Sequence, residues 1–214
     1  MPRQFERNTR GHDYVVGDLH GHFELLEQAL DDVNFRPDRD RLFSVGDLID
    51  RGPQSMRCLE LVHEPWFNAV CGNHESMAQR ALLEDQWGLW LLNGGDWSQQ
   101  FETDELRQRL SDAIQKMPLA MEIDTVHGPV GIVHAEPPAD WANIGEAPHE
   151  LLLWSRQRVE SRTVTPIANI TAVVVGHTPV TAPLMLGNVR NIDLGSFFSG
   201  RICMERLDDI AAMV

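Results

Sequence analysis

Residues 45–52, which read Val-Gly-Asp-Leu-Ile-Asp-Arg-Gly, constrain the fold of this chain more than any other segment. An apolar run that includes Leu42 and Phe43 precedes them and predicts a short buried strand. Gly46 allows the backbone to turn sharply where that strand ends, so Asp47 is expected at its C-terminal end. Functional sites of open α/β sheets are built at that edge, which predicts an α/β fold with a site around Asp47.

The same order of strand, loop and helix occurs earlier in the chain. Residues 14–16 form a β-prone run that ends at Gly17, and the apolar spacing over 23–33 predicts a helix that leads to the strand before Asp47. The other predicted elements are a helix opening near Pro53, a strand over 68–71, helices over 75–92 and 103–114, a hairpin over 119–134, a long surface loop over 136–149, and strands over 171–175, 189–192 and 201–207. The chain should therefore begin with βαβ units and end with antiparallel strands.

The composition fits one domain. The chain has 214 residues, of which 43% are apolar and 23% charged, and this favours a single domain spanning residues 1–214. The polar residues 1–12 are predicted to be flexible or loosely packed, and no stretch has the apolar length of an export signal or a membrane span. A cytoplasmic location is expected. The three cysteines form no Cys-x-x-Cys pair, so we expect reduced thiols rather than a disulfide framework or a cysteine zinc site.

The charge narrows the classes of partner. A formal net charge of −14 disfavours nucleic acid, whose binding requires clustered Lys and Arg. The single lysine, Lys116, lies in no glycine-rich loop, which excludes a P-loop nucleotide site. No cysteine is followed by arginine six residues later, as thiolate-based phosphatases require. If the protein handles phosphate, arginine or metal ions must do so.

Side chains that bind metal ions follow several of the predicted strands. They are Asp18 and His20, Asp47, Asn73 and His74, His134, and His177. Asp18 and His20 are two residues apart, so an extended backbone would point both side chains the same way. For any one of these residues alone, a core or capping role would be the better interpretation. Together they favour a site for Mn, Fe or Zn, because the donors are oxygen and imidazole without thiolate.

Three segments resemble, in order and spacing, the signatures of the PPP metallophosphatases: Gly17-Asp18-Leu19-His20-Gly21, Gly46-Asp47-Leu48-Ile49-Asp50-Arg51-Gly52 and Gly72-Asn73-His74-Glu75. Three more resemble the small bacterial and bacteriophage-lambda-type serine/threonine phosphatases: His134-Ala135-Glu136, Trp154-Ser155-Arg156 and Gly176-His177-Thr178-Pro179. The resemblance runs from about residue 14 to the C-terminus. It implies a four-layer, calcineurin-like α/β sandwich of mixed sheets flanked by helices.

The resemblance also implies roles for individual residues. Two divalent ions, most simply manganese with iron or zinc as alternatives, would be held by Asp18, His20, Asp47, Asn73, His134 and His177, with Asp47 bridging them. Such a pair of ions activates a water molecule for in-line attack without a covalent enzyme intermediate. His74 would protonate the leaving alkoxide and Asp50 would orient its imidazole. Arg51 and Arg156 would hold the phosphate oxygens.

The expected function is therefore metal-dependent phosphomonoester hydrolysis on serine/threonine phosphoproteins, with some tyrosine and small-ester activity. One alternative is a dinucleoside tetraphosphate hydrolase, which would share the metal site, although its relatives usually lack the pair present here as Asp50-Arg51. A second is a non-catalytic binding module that retains the fold. The sequence leaves the oligomeric state open and is compatible with a monomer.

A few positions depart from the family pattern or keep two interpretations. Cys71 stands where relatives usually have Arg, and we expect it to pack as a small apolar residue rather than act as a redox-sensitive thiol. Glu136 stands where the lambda-type group usually has Asp. Trp87, Trp90 and Trp97 are interpreted as core residues rather than a ligand platform. For Phe197 and Phe198, the sequence supports equally a position in the wall of the substrate groove and a position on the surface with no function.

Overall fold

Two β-sheets form the centre of the structure, a computed structural model that describes all 214 residues. The strands in chain order are β1 (Arg3–Phe5), β2 (Asp13–Val16), β3 (Arg41–Ser44), β4 (Phe67–Ala69), β5 (Ala120–Thr125), β6 (Gly128–Val133), β7 (Ala172–Val175), β8 (Leu184–Leu186), β9 (Val189–Asn191) and β10 (Met204–Arg206). One sheet has six strands in the order β1-β5-β6-β7-β9-β8, and the other has four in the order β10-β2-β3-β4.

Nine helices flank the two sheets. They are α1 (Phe23–Asp32), α2 (Ser55–Glu60), α3 (Asn73–Glu84), α4 (Trp87–Leu92), α5 (Thr103–Ile114), α6 (His149–Trp154), α7 (Gln157–Ser161), α8 (Ser196–Ser199) and α9 (Leu207–Ala211). Short 3₁₀ turns occur at Leu61–His63, Gly95–Gln100 and Trp141–Glu146. None of the helices combines the length and the apolar character needed to cross a lipid bilayer.

Alternation along the strands builds the layers. In β2, Tyr14 and Val16 face a core shared with Leu26 of α1 and Leu106 of α5, whereas Val15 faces the opposite sheet. A second core fills the space between the two sheets, and a third lies on the outer face of the six-stranded sheet under the Trp141–Glu146 turn and α6. The order of layers is helix, sheet, sheet, helix, so the predicted four-layer α/β sandwich is present.

The strand directions bring the functional segments together. Strands β2, β3 and β4 are parallel, and β6 is parallel to β7 in the other sheet. The loops after these five strands carry the predicted metal-binding side chains. The two sheets are joined at this edge, where the imidazole of His134 after β6 lies 2.8 Å from the carbonyl oxygen of Val45 after β3. Residues distant in sequence therefore share one site.

The start of the chain differs from the expectation. Residues 1–12 were predicted to be loosely packed, but Arg3–Phe5 forms an edge strand parallel to β5. Phe5 packs edge-on against Phe43 with ring centroids 5.0 Å apart, and Arg41 donates a hydrogen bond to the carbonyl of Glu6 at 2.8 Å. A three-residue strand is too short to leave a periodic signal in a polar segment, so the sequence pattern did not indicate it. The single-domain assignment of residues 1–214 stays a prediction.

Three element boundaries also differ. The predicted helix over 75–92 is two helices, because Asp85 adopts a left-handed φ of +58° and caps α3. The predicted strand over 201–207 is confined to β10, and Leu207 already begins α9. The predicted surface loop over 136–149 contains the 3₁₀ turn that buries Trp141 and Ile144. The helix predicted over 103–114 matches α5.

Candidate active site

Asp47 lies at the centre of the site. Its carboxylate is buried, with Oδ2 3.6 Å from Nε2 of His20 and 3.9 Å from Nε2 of His74. On the other side, Oδ1 lies 3.4 Å from Nε2 of His134. Two groups of three metal-binding side chains result, one with His20 and His74 and one with His134 and His177, and Asp47 belongs to both.

Asn73 completes the second group. It is the first residue of α3, and its Oδ1 lies 2.8 Å from Nε2 of His134 and 3.0 Å from Nδ1 of His177. Asp18 lies at the margin, where its carboxylate accepts a hydrogen bond of 3.0 Å from the backbone N–H of His177. The structure thus brings together five of the six predicted metal-binding side chains around Asp47 and Asn73, and places the sixth, Asp18, against the backbone of His177.

In three imidazoles, the ring nitrogen that points away from the centre of the site, here called the outer nitrogen, contacts a backbone carbonyl oxygen; the other is called the inner nitrogen. Nδ1 of His20 lies 3.0 Å from Ile49 O, and Nδ1 of His134 lies 2.8 Å from Val45 O. Nε2 of His177 lies 3.1 Å from Trp154 O. A carbonyl accepts only from N–H, so in the neutral ring the inner nitrogen carries a lone pair. Burial lowers the pKa of His20 to about 3 and that of His177 to about 3, and it also lowers the pKa of His134.

In these tautomers, hydrogen-bond acceptors of neighbouring side chains point at one another with no donor between them. The lone pairs of the inner nitrogens of His134 and His177 point at Asn73 Oδ1, which is itself an acceptor, and a cation between the three atoms would satisfy all of them. Several buried carboxyl groups also lie close together at the site. Burial, followed by the neighbouring carboxylates, raises the pKa of Asp18 well above its usual value, and burial raises that of Glu75 to about 7. The donor set therefore fits divalent cations.

His74 is held differently from the other three imidazoles. Its Nδ1 lies 2.6 Å from Oδ2 of Asp50, a carboxylate, and its Nε2 faces the centre of the site. Burial by itself would lower the pKa of His74, but the charge of Asp47 and the hydrogen bond to Asp50 outweigh burial and raise it. His74 is therefore the imidazole of this site that most readily holds a proton.

Two tryptophans donate hydrogen bonds to Asp50, and the sequence did not indicate these contacts. Nε1 of Trp97 donates to Asp50 Oδ1 at 2.7 Å, and Nε1 of Trp90 lies 2.9 and 3.0 Å from the two carboxylate oxygens. The prediction that both residues belong to the core is correct, since both are buried. The apolar spacing indicated burial but carried no signal for the partner of the indole N–H.

Glu75 is a second residue whose function the sequence reasoning missed. Its buried carboxylate accepts hydrogen bonds from the backbone N–H groups of Asp47 at 3.0 Å, Leu48 at 2.8 Å and Gly72 at 2.9 Å. It thus ties the loop after β3 to the start of α3. Its place in the Gly72-Asn73-His74-Glu75 motif was the available signal.

Arg51 and Arg156 lie at opposite margins of the site, and both are exposed. Arg51 Nη1 lies 2.8 Å from Nε2 of His20, and its guanidinium carbon lies 4.4 Å from the ring centroid of Phe197. Arg156 Nη1 donates to the carbonyl of His177 at 3.0 Å. Phe197 also packs edge-on against the His20 ring, with centroids 5.5 Å apart, so it lies at the mouth of the site.

The two departures from the family pattern have structural explanations. Cys71 is buried, and burial followed by the charges of Glu75 and Asp47 raises its pKa well above the usual value, which disfavours the reactive thiolate. Glu136 accepts hydrogen bonds from the hydroxyl of Ser155 and from the backbone N–H of Arg158. It therefore fixes the chain on both sides of Arg156. All three cysteines are unpaired, as predicted.

Comparison with known proteins identifies the family. The calcineurin-like phosphoesterase family matches residues 14–205. The chain belongs to this family. The resemblance to PPP metallophosphatases, and the calcineurin-like fold that it implied, are thereby confirmed. Members of this family use a dinuclear metal centre, and the two groups of side chains that share Asp47 are candidates to hold one.

The chain is similar over nearly its whole length to a curated enzyme, serine/threonine-protein phosphatase 1 of Salmonella typhimurium. The two are 38% identical over 210 residues, which cover 96% of each chain. The symmetrical bis(5'-nucleosyl)-tetraphosphatase of Actinobacillus pleuropneumoniae serotype 3 is 36% identical over 111 residues, or 51% of this chain and 40% of that protein. A crystal structure of a candidate diadenosine tetraphosphatase shares the fold, with a TM-score of 0.67 at 20% identity over 98% of this chain and 95% of that one.

Proposed function

We propose that this protein is a metal-dependent serine/threonine phosphoprotein phosphatase. The observation that carries the proposal is the shared carboxylate of Asp47, which belongs to two groups of side chains that could hold a metal ion, one of which includes His74 with its partner Asp50. The similarity to a serine/threonine-protein phosphatase over 96% of both chains supports the substrate class. Activity on phosphotyrosine and on small phosphate esters is a secondary expectation.

The proposed metal-binding residues form two sets that share Asp47. Asp18, His20 and Asp47 would hold one divalent ion, and Asp47, Asn73, His134 and His177 would hold the other. When bound, the two ions supply Lewis acidity toward the phosphate oxygens and lower the pKa of a coordinated water. The backbone carbonyls behind His20, His134 and His177 fix the tautomers that such binding needs. Manganese is the proposed metal, with iron and zinc as the alternatives.

The remaining residues are proposed to bind the phosphate and to move the proton. His74 would donate the proton on Nε2 to the leaving alkoxide, because Nδ1 is already engaged by Asp50. Arg51 and Arg156 would hold the phosphate oxygens from the two margins of the site, with planar forks that suit bidentate contacts. Their charges and those of the ions offset the net charge of −14 that would otherwise repel a dianionic substrate.

The second candidate function is dinucleoside tetraphosphate hydrolysis, which partial similarity to such enzymes favours. The Asp50-Arg51 pair and the much longer match to a protein phosphatase support the first candidate instead. A non-catalytic binding module is the least supported, because side chains suited to proton donation, phosphate binding and metal binding lie together around Asp47. Cytoplasmic location, the absence of nucleic-acid and membrane partners, and a monomeric state stay predictions.

The experiment that tests the proposal compares three substrates after metal removal. The chelated protein is resupplied with Mn²⁺, Fe²⁺ or Zn²⁺ and offered a phosphoserine peptide, p-nitrophenyl phosphate and diadenosine tetraphosphate. We expect Mn²⁺ to restore hydrolysis and kcat/KM to be highest for one of the two monoesters. Preference for the tetraphosphate would replace the first candidate with the second, and absence of turnover with every metal would leave only the binding module.

A further inference from the structure

A single segment, residues 90–97, contacts both Asp50 and Arg51. The indole N–H groups of Trp90 and Trp97 donate to the Asp50 carboxylate, and the carbonyl of Gly94 accepts the backbone N–H of Arg51 at 3.1 Å. We propose that Trp90 and Trp97 are positioning residues, which hold Asp50 in the orientation that serves His74 and so favour hydrolysis of esters with poor leaving groups. This inference rests on the proposed phosphatase function and extends it.

The hydrogen bonds of Asp50 show why the indoles matter. Oδ2 accepts from Nδ1 of His74, and Oδ1 accepts from Nε1 of Trp97, while Trp90 Nε1 bridges both oxygens. Asp50 is fully buried, so no solvent replaces a lost donor. The two indoles are the only side-chain donors to Oδ1, and they oppose rotation of the carboxylate about χ2. Removing one would leave a buried, charged oxygen short of a partner, which is costly.

The backbone at this point also needs support. Asp50 and Arg51 are consecutive non-glycine residues with left-handed φ angles of +75° and +70°. Such conformations persist only where the surrounding structure imposes them. The hydroxyl of Ser55 accepts the N–H of Asp50 at 2.9 Å, and Gly94 accepts that of Arg51. Gly94 must be glycine here, because an added Cβ would lie 2.8 Å from Arg51 N and its own φ is +101°.

Aromatic packing surrounds the two indoles, and the neighbouring Trp87 offers a matched control. The rings of Trp90 and Trp97 pack edge to face with centroids 6.0 Å apart, and Phe101 packs in the same way against Trp97. Trp87 packs on Trp90 with centroids 5.7 Å apart, but its indole makes no hydrogen bond to Asp50. Trp87 therefore packs against the same aromatic cluster but lacks the hydrogen bond to Asp50 that carries the proposal.

Substrates with different leaving groups distinguish a positioning role of the indoles from a general role in stabilising the fold. A serine alkoxide is a strong base and must be protonated as the P–O bond breaks, whereas p-nitrophenolate leaves as a stable anion and needs little help from an acid. If the indoles act through Asp50 and His74, their loss should therefore lower the rate of hydrolysis of a phosphoserine peptide much more than that of p-nitrophenyl phosphate. A loss of fold or of bound metal should affect both substrates equally.

The test measures kcat and KM of the Mn²⁺-loaded enzyme on both substrates for Trp97→Phe, Trp90→Phe and the control Trp87→Phe. Losing one hydrogen bond to a charged group predicts about a tenfold fall in kcat for the peptide in each of the first two variants. For p-nitrophenyl phosphate the same variants should fall less than about twofold, with KM unchanged for both substrates. Trp87→Phe should leave the ratio of the two kcat values at its wild-type level.

A double-mutant cycle with Asp50→Asn adds a readout that a structural role would not move. If the indoles act through Asp50, Trp97→Phe should lower peptide turnover far less in the Asp50→Asn background than in the wild type. The ratio of the two kcat values within one preparation does not depend on the folded fraction, so partly folded variants remain informative. Equal losses on both esters, or an unchanged peptide kcat, would overturn the inference, whereas an inactive wild-type enzyme would instead refute the proposed function.

Discussion

The four imidazoles around Asp47 fall into two classes according to the group behind them. His20, His134 and His177 have a backbone carbonyl on the outer nitrogen, whereas His74 has the carboxylate of Asp50. Burial lowers the pKa of the first three, and the nearby carboxylates raise that of His74 despite burial. These surroundings suit the first three imidazoles to the proposed role of neutral metal ligand and His74 to the proposed role of proton donor.

The largest expected effect follows from removing the carboxylate that both classes share. Asp47→Asn keeps the size of the side chain but removes the charge between the two metal-binding groups. Loss of a general acid lowers turnover by about 10²–10⁴-fold, and we expect Asp47→Asn to lower turnover on every substrate by more than that. The amount of bound metal should fall as well. Steady-state kinetics and metal analysis on one preparation check this, and near-normal activity would refute the bridging role.

His74→Asn should have the next largest effect and should depend on the leaving group. The variant lacks the proton donor, so kcat on a phosphoserine peptide should fall by about 10²–10⁴-fold. The loss on p-nitrophenyl phosphate should be clearly smaller, because its leaving group needs little protonation. Losses of the same size on the two esters would show that His74 does not serve as the acid.

Asp50→Asn tests the difference between His74 and the other imidazoles through the pH dependence of kcat. The Asp50 charge stabilises protonated His74 and contributes to raising its pKa, so removing the charge lowers that pKa. A general acid works while protonated, and activity is lost as the pH rises through its pKa. The basic limb of the kcat profile should therefore move to lower pH in the variant. A limb that stays in place would contradict the link between Asp50 and His74.

The smallest effect is expected at Cys71, which is buried next to the site. Because burial disfavours the thiolate, Cys71→Ser and the wild type should lose activity to hydrogen peroxide at the same rate. A time course of residual activity in peroxide measures this. Marked protection by the substitution would show that Cys71 is a redox-sensitive thiol after all.

The sequence indicated the side chains that the structure brings together around Asp47, but it did not indicate the residues that hold them in place, and both outcomes have physical reasons. Asp47 and Asn73 follow short apolar strands in compact motifs, so a local pattern sufficed to find them. Trp90 and Trp97 lie 40 and 47 residues beyond Asp50, and their apolar spacing indicates only that they are buried. Hydrogen-bond partners across such separations depend on the tertiary fold.

Other features also depended on context that a local pattern lacks. Asp193, a buried carboxylate whose pKa burial raises to about 6, follows β9 in the way that Asp18 follows β2, but no predicted motif included it. The strand β1 spans three residues in a polar segment, and the break at Asp85 depends on one left-handed residue. The four-layer arrangement was implied by the resemblance to the family rather than by a local pattern, since β2 is buried on both faces and its sequence carries no polar alternation.

The most direct test of the distinction between the two imidazole classes is the metal content of His74→Asn beside that of His134→Asn. His74 lies within reach of the same carboxylate as the proposed ligands, so geometry alone would allow it to bind an ion. After reconstitution with Mn²⁺ and removal of excess metal, we predict two ions per chain in the His74 variant and fewer in the His134 variant. Loss of metal from His74→Asn to the same extent would show that His74 is a ligand and would contradict the assignment of the proton donor.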